Sequence, residues 1–423
     1  MFASLINRYE RFGIHLGLER IQHLLDRIGQ PHLQVPIIHV AGTNGKGSVC
    51  AYLSSVLTAA GYRVGRYTSP HLVDWTERIC INNQPIETSV LTQLLLDLEA
   101  TLVSSPTPTQ FEVITALAWQ YFAQEQVDIA VIEVGLGGRL DATNVCDQPL
   151  VSVITSLSRE HWQRLGPTLA DIAGEKAGVL KSNRPAVIGP LPPEAAAVVQ
   201  AKIEQLHCPA QWPQPARRIE APHAISDTLP WAESEGVRFP LSLPGEIQLI
   251  NVAVAIATLK QLQLQSWQIS DDAIIAGMAN TRWPGRLQWV NWQQHPLLID
   301  GAHNVAAAKG LRQYVDSQHP PQVHWLMGML STKDHQDILE ILLRPGDTLS
   351  LVPVPGHSSA APQALAELAM TVCPELKRCQ CFPSLEKALE DAYRPESGTS
   401  SMQVLCGSLY LVGHYLQTYV PTV

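Results

Sequence analysis

The sequence has little of several features that would define a protein class. Its eight cysteines are scattered over 423 residues, and it contains no long run of basic residues. Scattered cysteines are typical of reduced thiols in a cytoplasmic protein rather than of a disulfide framework. A formal net charge of −9 without a basic run argues against a nucleic-acid partner.

Long apolar segments are also scarce. The first residues, MFASLINRYERFG, mix charged and apolar side chains, so we expect no secretory signal peptide. No run of about 18 consecutive apolar residues occurs, so we expect no membrane span. The sequence therefore predicts a cytoplasmic protein whose partners are neither nucleic acids nor membranes.

What the chain does contain is the material for two globular cores. Apolar residues make up 46% of the chain and charged residues 16%, an ordinary globular balance. A length of 423 residues favours two domains over one. The segment RWPGR cannot continue a helix, so we place the boundary there, with domains at 1–283 and 287–423 and a linker at 284–286.

Strand and helix patterns alternate on both sides of that boundary. Residues 88–103 and 110–125 have helical patterns, and the other predicted elements before the boundary are VPIIHVA, SVCAYLSSVLTAAG, RVGRYTSPHL, VDIAVIEVG, LVSVITS and NVAVAIATLKQL. Residues 205–245 are irregular and predict loops or short strands. After the boundary, strands alternate with helices again, and MQVLCGSLYLVG is expected to close the chain as a strand and a turn. Alternation of this kind predicts βαβ units and mostly parallel sheets.

The segment HVAGTNGKGSV, residues 39–49, is almost a phosphate-binding loop. Gly45 and Lys46 fit the common G-x-x-x-x-G-K-[ST] pattern, but Val40 occupies the first glycine position and Gly47 is inserted before Ser48. A strand before the turn and a helix after it favour phosphate binding by backbone amides and a lysine. A glycine-rich turn without a ligand remains the alternative.

Glu133 ends a buried apolar run, where open α/β sheets bind ligands. Its oxygens suit Mg²⁺, and a helix cap or a structural ion pair is the alternative.

Eight further motifs occur in a fixed order around these two features. They are YTSPHL, WTERI, TQFEVIT, EVGLGGRLDATN, EKAGVLK, PGR, DGAHN and CGSLY. Together with GTNGKGS, they resemble the folylpolyglutamate synthase/dihydrofolate synthase family of the Mur ligase superfamily over about residues 15–415. The sequence departs from the family pattern at Trp75, at Glu160, around Glu246 and Gln248, and at STKD, residues 331–334.

The resemblance implies a fold and a reaction. The expected fold is α/β, with a P-loop-type, mostly parallel ATPase domain followed by a smaller Rossmann-like domain that closes over ATP. The expected reaction converts a carboxylate to an acyl phosphate, which the amine of L-glutamate attacks. The acids would be dihydropteroate and tetrahydrofolates, in a bifunctional monomer that uses ATP and two Mg²⁺ ions, with a need for K⁺ left open.

The resemblance also assigns residues to the nucleotide and the metal. Lys46, Glu133, His161 and a carbamylated Lys176 would be catalytic, and Ser69, Glu133 and His161 would surround magnesium. The residues expected to bind ATP are Thr43, Asn44, Gly45, Lys46, Gly47, Ser48, Asn251, Arg286, Asp300 and His303. On sequence alone, an ordinary helix lysine is the favoured interpretation of Lys176, and carbamylation requires a neutral amine with a depressed pKa.

Residues expected to bind the folate come from five short segments. They are Gly17, Leu18, His71, Arg78, Thr109, Gln110, Phe111, Glu112, Leu140, Asp141 and Ala142. Phe111 could stack on a pterin ring or pack in the core. His71 and Arg78 could bind a substrate carboxylate or be surface groups.

Two other functions compete with this one. A Mur-type or cyanophycin-like ligase would use the same chemistry on a different acid, but Gly47 and the SPHL and ERI motifs favour the folate branch. A P-loop ATPase or switch would not ligate. A GTP switch would need an N-K-x-D motif, and Thr332-Lys333-Asp334 does not supply it.

Overall fold

The computed structural model describes residues 2–9, 17–102, 108–221, 229–394 and 401–420. The chain forms two compact units. Unit 1 comprises Met1–Ser242 and Ile247–Arg282, and unit 2 comprises Leu243–Glu246 and Trp283–Val423. The domain limits expected from the sequence, 1–283 and 287–423, stay a prediction.

The part of unit 1 that the structure describes contains two sheets. Its described strands are β1 (Ile37–Ala41), β2 (Val64–Tyr67), β3 (Ile79–Ile81), β4 (Gln84–Pro85), β5 (Ile129–Glu133), β6 (Val151–Ile154), β7 (Ala186–Ile188), β8 (Ala210–Gln211), β9 (Arg217–Ile219), β10 (Trp231–Ser234) and β11 (Val237–Pro240). The larger sheet has the order β4-β3-β2-β5-β1-β6-β7-β8, and the smaller one has the order β11-β10-β9. In the larger sheet, strands β2, β5, β1, β6, β7 and β8 run parallel, and β3 and β4 add an antiparallel edge. Strands β1, β5 and β6 are buried along their whole length, in agreement with their predominantly apolar sequences.

Helices cover the sheets of unit 1. The described ones are α1 (Phe2–Ile6), α2 (Glu19–Arg27), α3 (Lys46–Ala59), α4 (Thr88–Thr101), α5 (Gln110–Gln124), α6 (Trp162–Leu165), α7 (Leu169–Ala177), α8 (Pro193–Leu206), α9 (Ile247–Leu264) and α10 (Asp271–Asn280), with 3₁₀ turns at Pro31–Leu33 and Trp75–Arg78. Among the described residues, α9 is the one helix long and apolar enough to cross a membrane. Its most apolar stretch is 67% buried inside the protein, as in the core helix of a globular domain.

The described strands of unit 2 form one six-stranded sheet. Its strands are β12 (Gln288–Trp292), β13 (His295–Ile299), β14 (Val323–Met327), β15 (Thr348–Leu351), β16 (Arg378–Cys381) and β17 (Met402–Cys406). Its helices are α11 (Val305–Ser317), α12 (His335–Leu342), α13 (Pro362–Val372), α14 (Leu385–Ala392) and α15 (Leu409–Tyr419). The strand order is β12-β13-β17-β14-β15-β16, and only the β12-β13 pair is antiparallel.

The predicted α/β class with mostly parallel sheets is confirmed. The turn expected after the last strand is wrong, because Leu409–Tyr419 forms helix α15. The Ser408 hydroxyl caps this helix by accepting a hydrogen bond from the Tyr410 amide at 3.2 Å. Buried residues one helical turn apart, such as Leu411 and Tyr415, then pack the helix on the core of unit 2.

Candidate active site

The predicted phosphate loop lies where the direction of the strand order in unit 1 changes. β1 stands between β5 and β6, and the chain continues from β1 through α3 to β2, beyond β5. The carboxyl ends of these parallel strands therefore meet at a topological switch point. Open α/β sheets bind their ligands at such points.

The loop itself turns sharply into α3 at Gly45. Gly45 has φ +89°, a left-handed conformation that glycine adopts without strain, and it precedes the first residue of the helix, Lys46. A Cβ atom at Gly45 would lie 2.4 Å from Oδ1 of Asn251 in α9, so only glycine fits. The amides of the first turn of α3 lack acceptors within the helix, and this end of the helix dipole attracts anions. The structure thus brings predicted ATP-binding residues of α3 and α9 together at one turn.

Lys46, Ser69 and Glu133 also meet in this region. Lys46 Nζ donates to the Thr43 carbonyl oxygen at 3.2 Å and lies 3.9 Å from Glu133 Oε1. The Ser69 amide donates to Glu133 Oε2 at 3.3 Å. Glu133 is only 4% exposed, so its carboxylate is stabilised by cations and donors rather than by bulk water.

Lys176 lies in the last turn of α7 and reaches the same loop. Its Nζ donates to the Gly42 carbonyl oxygen at 2.7 Å. Burial and, next, the nearby charge of Lys46 lower the pKa of Lys176 to about 7, against smaller opposing effects of Glu160 and Asp141. Near pH 7 a large fraction of this amine is therefore neutral and nucleophilic.

His161 occupies a different environment. It has φ +53°, precedes α6, and its side chain is half exposed. Its Nε2 lies 4.0 Å from Oε1 of Glu160, the residue at which the sequence departs from the family pattern.

The residues predicted to bind the folate have marked structural duties. Glu112 forms a reciprocal cap with Thr109 at the start of α5, and its two carboxylate oxygens also accept hydrogen bonds from Arg20 Nε, each at 3.1 Å. Asp141 accepts from the Leu136 amide at 2.7 Å and from the Thr143 hydroxyl at 2.6 Å. Burial raises the pKa of Asp141, and these hydrogen bonds oppose that effect. Both acids fix turns of the chain beside the candidate site.

Phe111 is partly buried beside the glycine-rich turn. Its ring centroid lies 6.2 Å from that of Tyr67, and a Cβ atom at Gly135 would come within 2.4 Å of the Phe111 ring. Gly135 therefore has no room for a side chain. The remaining part of the ring is accessible, so the structure is compatible with both of the roles considered for it.

His71 and Arg78 form one cluster around Trp75. Arg78 Nε donates to His71 Nδ1 at 2.9 Å, which requires the neutral tautomer of His71 that carries its proton on Nε2. The Arg78 guanidinium carbon lies 4.4 Å from the centroid of the Trp75 ring, a cation–π geometry.

The other predicted folate residues lie around the same core. Gln110 Nε2 donates to Asn7 Oδ1 at 3.2 Å, and Ala142 is buried in the cluster that packs under α5. Leu18 packs against that cluster at the start of α2, after Gly17, and Leu140 is partly buried in the glycine-rich turn.

Within unit 2, the predicted nucleotide residues gather at the end of β13. The Asp300 carboxylate accepts from the amides of Leu287 and Ala302, each at 2.8 Å. Burial raises the pKa of Asp300, while the Arg286 charge opposes the shift. The Gly301 carbonyl oxygen lies 2.8 Å from His303 Nδ1. Arg286 Nη1 donates to the Gly285 carbonyl oxygen at 3.0 Å.

Sequence reasoning missed the polar residues that position this site. Thr155 and Ser156, which follow β6, hydrogen-bond to Asn44, and buried His39 lies 2.8 Å from the Thr143 hydroxyl. Arg20, the partner of Glu112, is 92 residues away from it in the chain. A polar TS pair directly after a buried strand was the one local signal.

The oxygen donors present suit a hard cation. Glu133 supplies a buried carboxylate, and Ser69, whose amide donates to that carboxylate, carries a hydroxyl; oxygen ligands of this kind fit Mg²⁺ better than a soft metal. Within the described residues, no group of three or more His, Cys, Asp or Glu side chains is arranged to hold a metal ion. The predicted set contains only two such side chains, because its third member is Ser69.

Comparison with known proteins supplies the family. Residues 40–259 match the Mur ligase middle domain, and residues 286–418 match the dihydrofolate synthetase C-terminal domain. A folylpolyglutamate synthase from Lacticaseibacillus casei is 38% identical, over 94% of this chain and 93% of its own length.

Solved structures agree. Mycobacterium tuberculosis folylpolyglutamate synthase complexed with ADP and AMPPCP has a TM-score of 0.87 and 30% identity, over 99% of this chain and 98% of that one. Escherichia coli FolC in complex with DHPP and ADP has a TM-score of 0.83 and 30% identity, over 98% and 97% of the two chains. The chain therefore belongs to the folylpolyglutamate synthase/dihydrofolate synthase family of ATP-dependent ligases.

Proposed function

We propose that this protein joins L-glutamate to dihydropteroate and to the glutamate tail of tetrahydrofolates. The observation that supports it most directly is the meeting of Lys46, Ser69, Glu133 and Lys176 at the glycine-rich turn before α3. A turn of this kind binds the triphosphate of ATP, and the reaction needs that triphosphate beside a second anion, the substrate carboxylate.

Each group of this cluster has a distinct task. The amides at the start of α3 and the Lys46 ammonium would bind the phosphates. Transfer of the terminal phosphoryl group to the acid forms an acyl phosphate and ADP. The glutamate amine then attacks the acyl carbon, and phosphate leaves as the amide forms. Glu133, Ser69 and His161 would hold Mg²⁺, which when bound reduces the repulsion between the two anions.

Lys176 would act as a carbamate. The neutral amine attacks the carbon of CO₂, an N–C bond forms, one C=O electron pair moves to oxygen, and a proton is released to solvent. A pKa of about 7 supports this step, because the reacting form is already abundant. A carbamate would place a negative charge at this buried position beside Lys46. NMR with ¹³C-labelled bicarbonate should show a carbamate resonance that is missing from Lys176→Met.

The acid would be held by Gly17, Leu18, residues 109–112 and 140–142, with His71 and Arg78 on its carboxylate. Arg78 is suited to that task because Trp75 supports its guanidinium. Asn251, Arg286, Asp300 and His303 would bind other parts of the nucleotide. We further propose a cytoplasmic monomer with two Mg²⁺ ions; a K⁺ requirement is a matter for direct assay.

Coupled ADP release with each acceptor tests the proposal. We expect turnover to require glutamate, and to be supported both by dihydropteroate and by a tetrahydrofolate, with products one glutamate heavier. ADP release that ignores both acceptors would instead identify a non-ligating ATPase. Turnover with one acceptor only would remove bifunctionality, and turnover with a different acid alone would indicate another amide ligase.

Lys46→Met provides the matched test of the site. Loss of its charge should reduce turnover by about 10²–10³-fold. The exposed lysine Lys309, changed to Met, should leave turnover unchanged. Equal activity of the two variants would contradict phosphate binding at this loop.

A further inference from the structure

The loop that follows β6 is hydrogen-bonded to the predicted phosphate loop, residues 42–48, which we call the nucleotide loop. The Thr43 amide donates to the Ser156 carbonyl oxygen at 2.7 Å. The Thr43 hydroxyl accepts a hydrogen bond from the Ser158 amide at 3.1 Å and donates one to the Ser158 carbonyl oxygen at 3.3 Å. Hydrogen bonds of backbone and side-chain groups thus join residues 43–44 to residues 155–158, over a sequence separation of more than a hundred residues.

The Ser156 side chain forms hydrogen bonds with both backbone groups of one residue of the nucleotide loop, Asn44. Its Oγ accepts a hydrogen bond from the Asn44 amide at 3.1 Å and donates to the Asn44 carbonyl oxygen at 2.9 Å. The Thr155 hydroxyl donates to the same carbonyl oxygen at 2.7 Å. Two side-chain hydroxyls therefore fix the orientation of one carbonyl group.

That carbonyl group determines where the Gly45 amide points. In a trans peptide the C=O of Asn44 and the N–H of Gly45 point in opposite directions. Gly45 has φ +89° and, as glycine, has access to many other conformations, so this peptide plane is the one most able to rotate. A rotation would turn a carbonyl oxygen towards the phosphates and remove an amide from them.

The preceding carbonyl groups are held in the same manner. The Gly42 carbonyl oxygen accepts from Lys176 Nζ at 2.7 Å, and the Thr43 carbonyl oxygen accepts from Lys46 Nζ at 3.2 Å. Three consecutive carbonyl oxygens are therefore bound by protein donors. An anion at this turn consequently meets amides rather than carbonyl oxygens, which lowers the reorganisation that binding requires.

We propose that Ser156 is a positioning residue for ATP: its hydroxyl holds the Asn44–Gly45 peptide so that the Gly45 amide faces the triphosphate. The inference rests on the proposed binding of ATP at residues 42–48. Ser156 acts through Asn44 and contacts no reacting atom itself. Removal of its hydroxyl should therefore weaken the binding of ATP and leave the binding of glutamate unchanged.

Ser158 provides a matched control in the same loop. Its backbone bonds to Thr43, but its hydroxyl is buried without a hydrogen-bond partner in the described part of the chain. Ser156→Ala and Ser158→Ala are thus the same chemical change at two positions of one loop, two residues apart, with and without the proposed contact. Ser156→Thr retains the hydroxyl and serves as the rescue.

The experiment measures KM for ATP and KM for glutamate in the wild type and the three variants, with calorimetric binding of a non-hydrolysable ATP analogue and thermal melting of each. We expect Ser156→Ala to raise KM and Kd for the nucleotide by about tenfold. KM for glutamate should stay within twofold, Ser156→Thr should recover most of the nucleotide affinity, and Ser158→Ala should match the wild type.

The outcomes separate this inference from the proposed function. A wild type that binds no ATP analogue overturns both. A wild type that binds, with a Ser156→Ala variant that binds equally well, overturns only the role of Ser156. Equal losses for ATP and glutamate, or equal losses in Ser156→Ala and Ser158→Ala, also overturn it, because they would indicate a general loss of structure.

Discussion

Glu133 and Asp300 are both buried acids at the carboxyl ends of parallel strands, one in each unit, yet their surroundings differ. Asp300 receives the Leu287 and Ala302 amides on its two oxygens, so it ties β13 to the turn before β12. Glu133 lies 3.9 Å from a lysine ammonium and accepts from the Ser69 amide. The first arrangement fixes the backbone of a turn, whereas the second places a carboxylate beside the lysine of the phosphate loop.

Position in the fold therefore does not decide what a buried acid does. The sequence places both residues at strand ends, where ligands bind in α/β sheets, and the family resemblance gives both a part in the site. The neighbours make the distinction: hydrogen bonds that close a turn or cap a helix indicate a structural contribution, and proximity to the lysine of the phosphate loop indicates a contribution to the chemistry. Replacing each acid by its amide tests this distinction directly.

The largest effect is expected for Glu133→Gln. The amide is similar in size but carries no charge for Lys46 or for a metal ion, so turnover should fall by about 10²–10³-fold. Measured ADP release with glutamate and dihydropteroate checks this, with melting temperature as the structural readout. Glu125→Gln, a change at an exposed ion pair with Arg63 in the same unit, is the control and should leave turnover intact. A fully active Glu133→Gln would remove the comparison altogether.

Asp300→Asn should lower stability, in addition to its effect on the proposed binding of the nucleotide. Asparagine offers one acceptor oxygen in place of two, so one of the two buried amides faces a donor, and the free energy of unfolding should fall by about 2 kcal/mol. Urea unfolding followed by circular dichroism measures it. Asp316→Asn, at a half-exposed residue of the same unit, should change little by comparison. If Asp300→Asn unfolds like the wild type, the backbone bonds are not what this carboxylate supplies.

Lys176 sharpens the comparison through pH. Its pKa is about 7 in the folded protein against an ordinary 10.5, so between these values the unfolded chain binds more protons than the folded one. Stability contributed at this residue is therefore lowest below pH 7 and rises as the pH increases towards 10.5. In bicarbonate-free buffer, the unfolding free energy of the wild type minus that of Lys176→Met should increase from pH 6 to pH 9. A difference independent of pH would show that the buried amine is not neutralised by folding.

The smallest effect concerns Glu112, a third buried acid. It caps the start of α5 reciprocally with Thr109, so it contributes to structure as Asp300 does, in addition to the contact proposed for residues 109–112 with the acid. Thr109→Ala should reduce the free energy of unfolding by about 1 kcal/mol, and Thr109→Ser should restore most of it. Thermal melting of the three proteins is sufficient. A loss in Thr109→Ser equal to that in Thr109→Ala would mean that the hydroxyl cap is not responsible.

The sequence predicts the local parts of this molecule better than the contacts between them. Apolar runs before and after GTNGKGS give β1 and α3, since their signal lies within a few residues. Thr155 and Ser156 reach the phosphate loop only because β6 pairs with β1. The sequence alone does not predict which strands are neighbours. Helix α15 stands where a turn is expected from the sequence, because the hydroxyl of Ser408 caps a helix directly after β17.

Residues Leu243–Glu246 belong to unit 2, although α9 and α10, which follow them, belong to unit 1. The polypeptide thus visits unit 2 briefly, returns, and enters it again at Trp283. Exchange of whole units between related genes would therefore need two additional crossovers around this four-residue segment. A single recombination point near Arg282 would give every chimaera a fragment of unit 2 from the wrong parent.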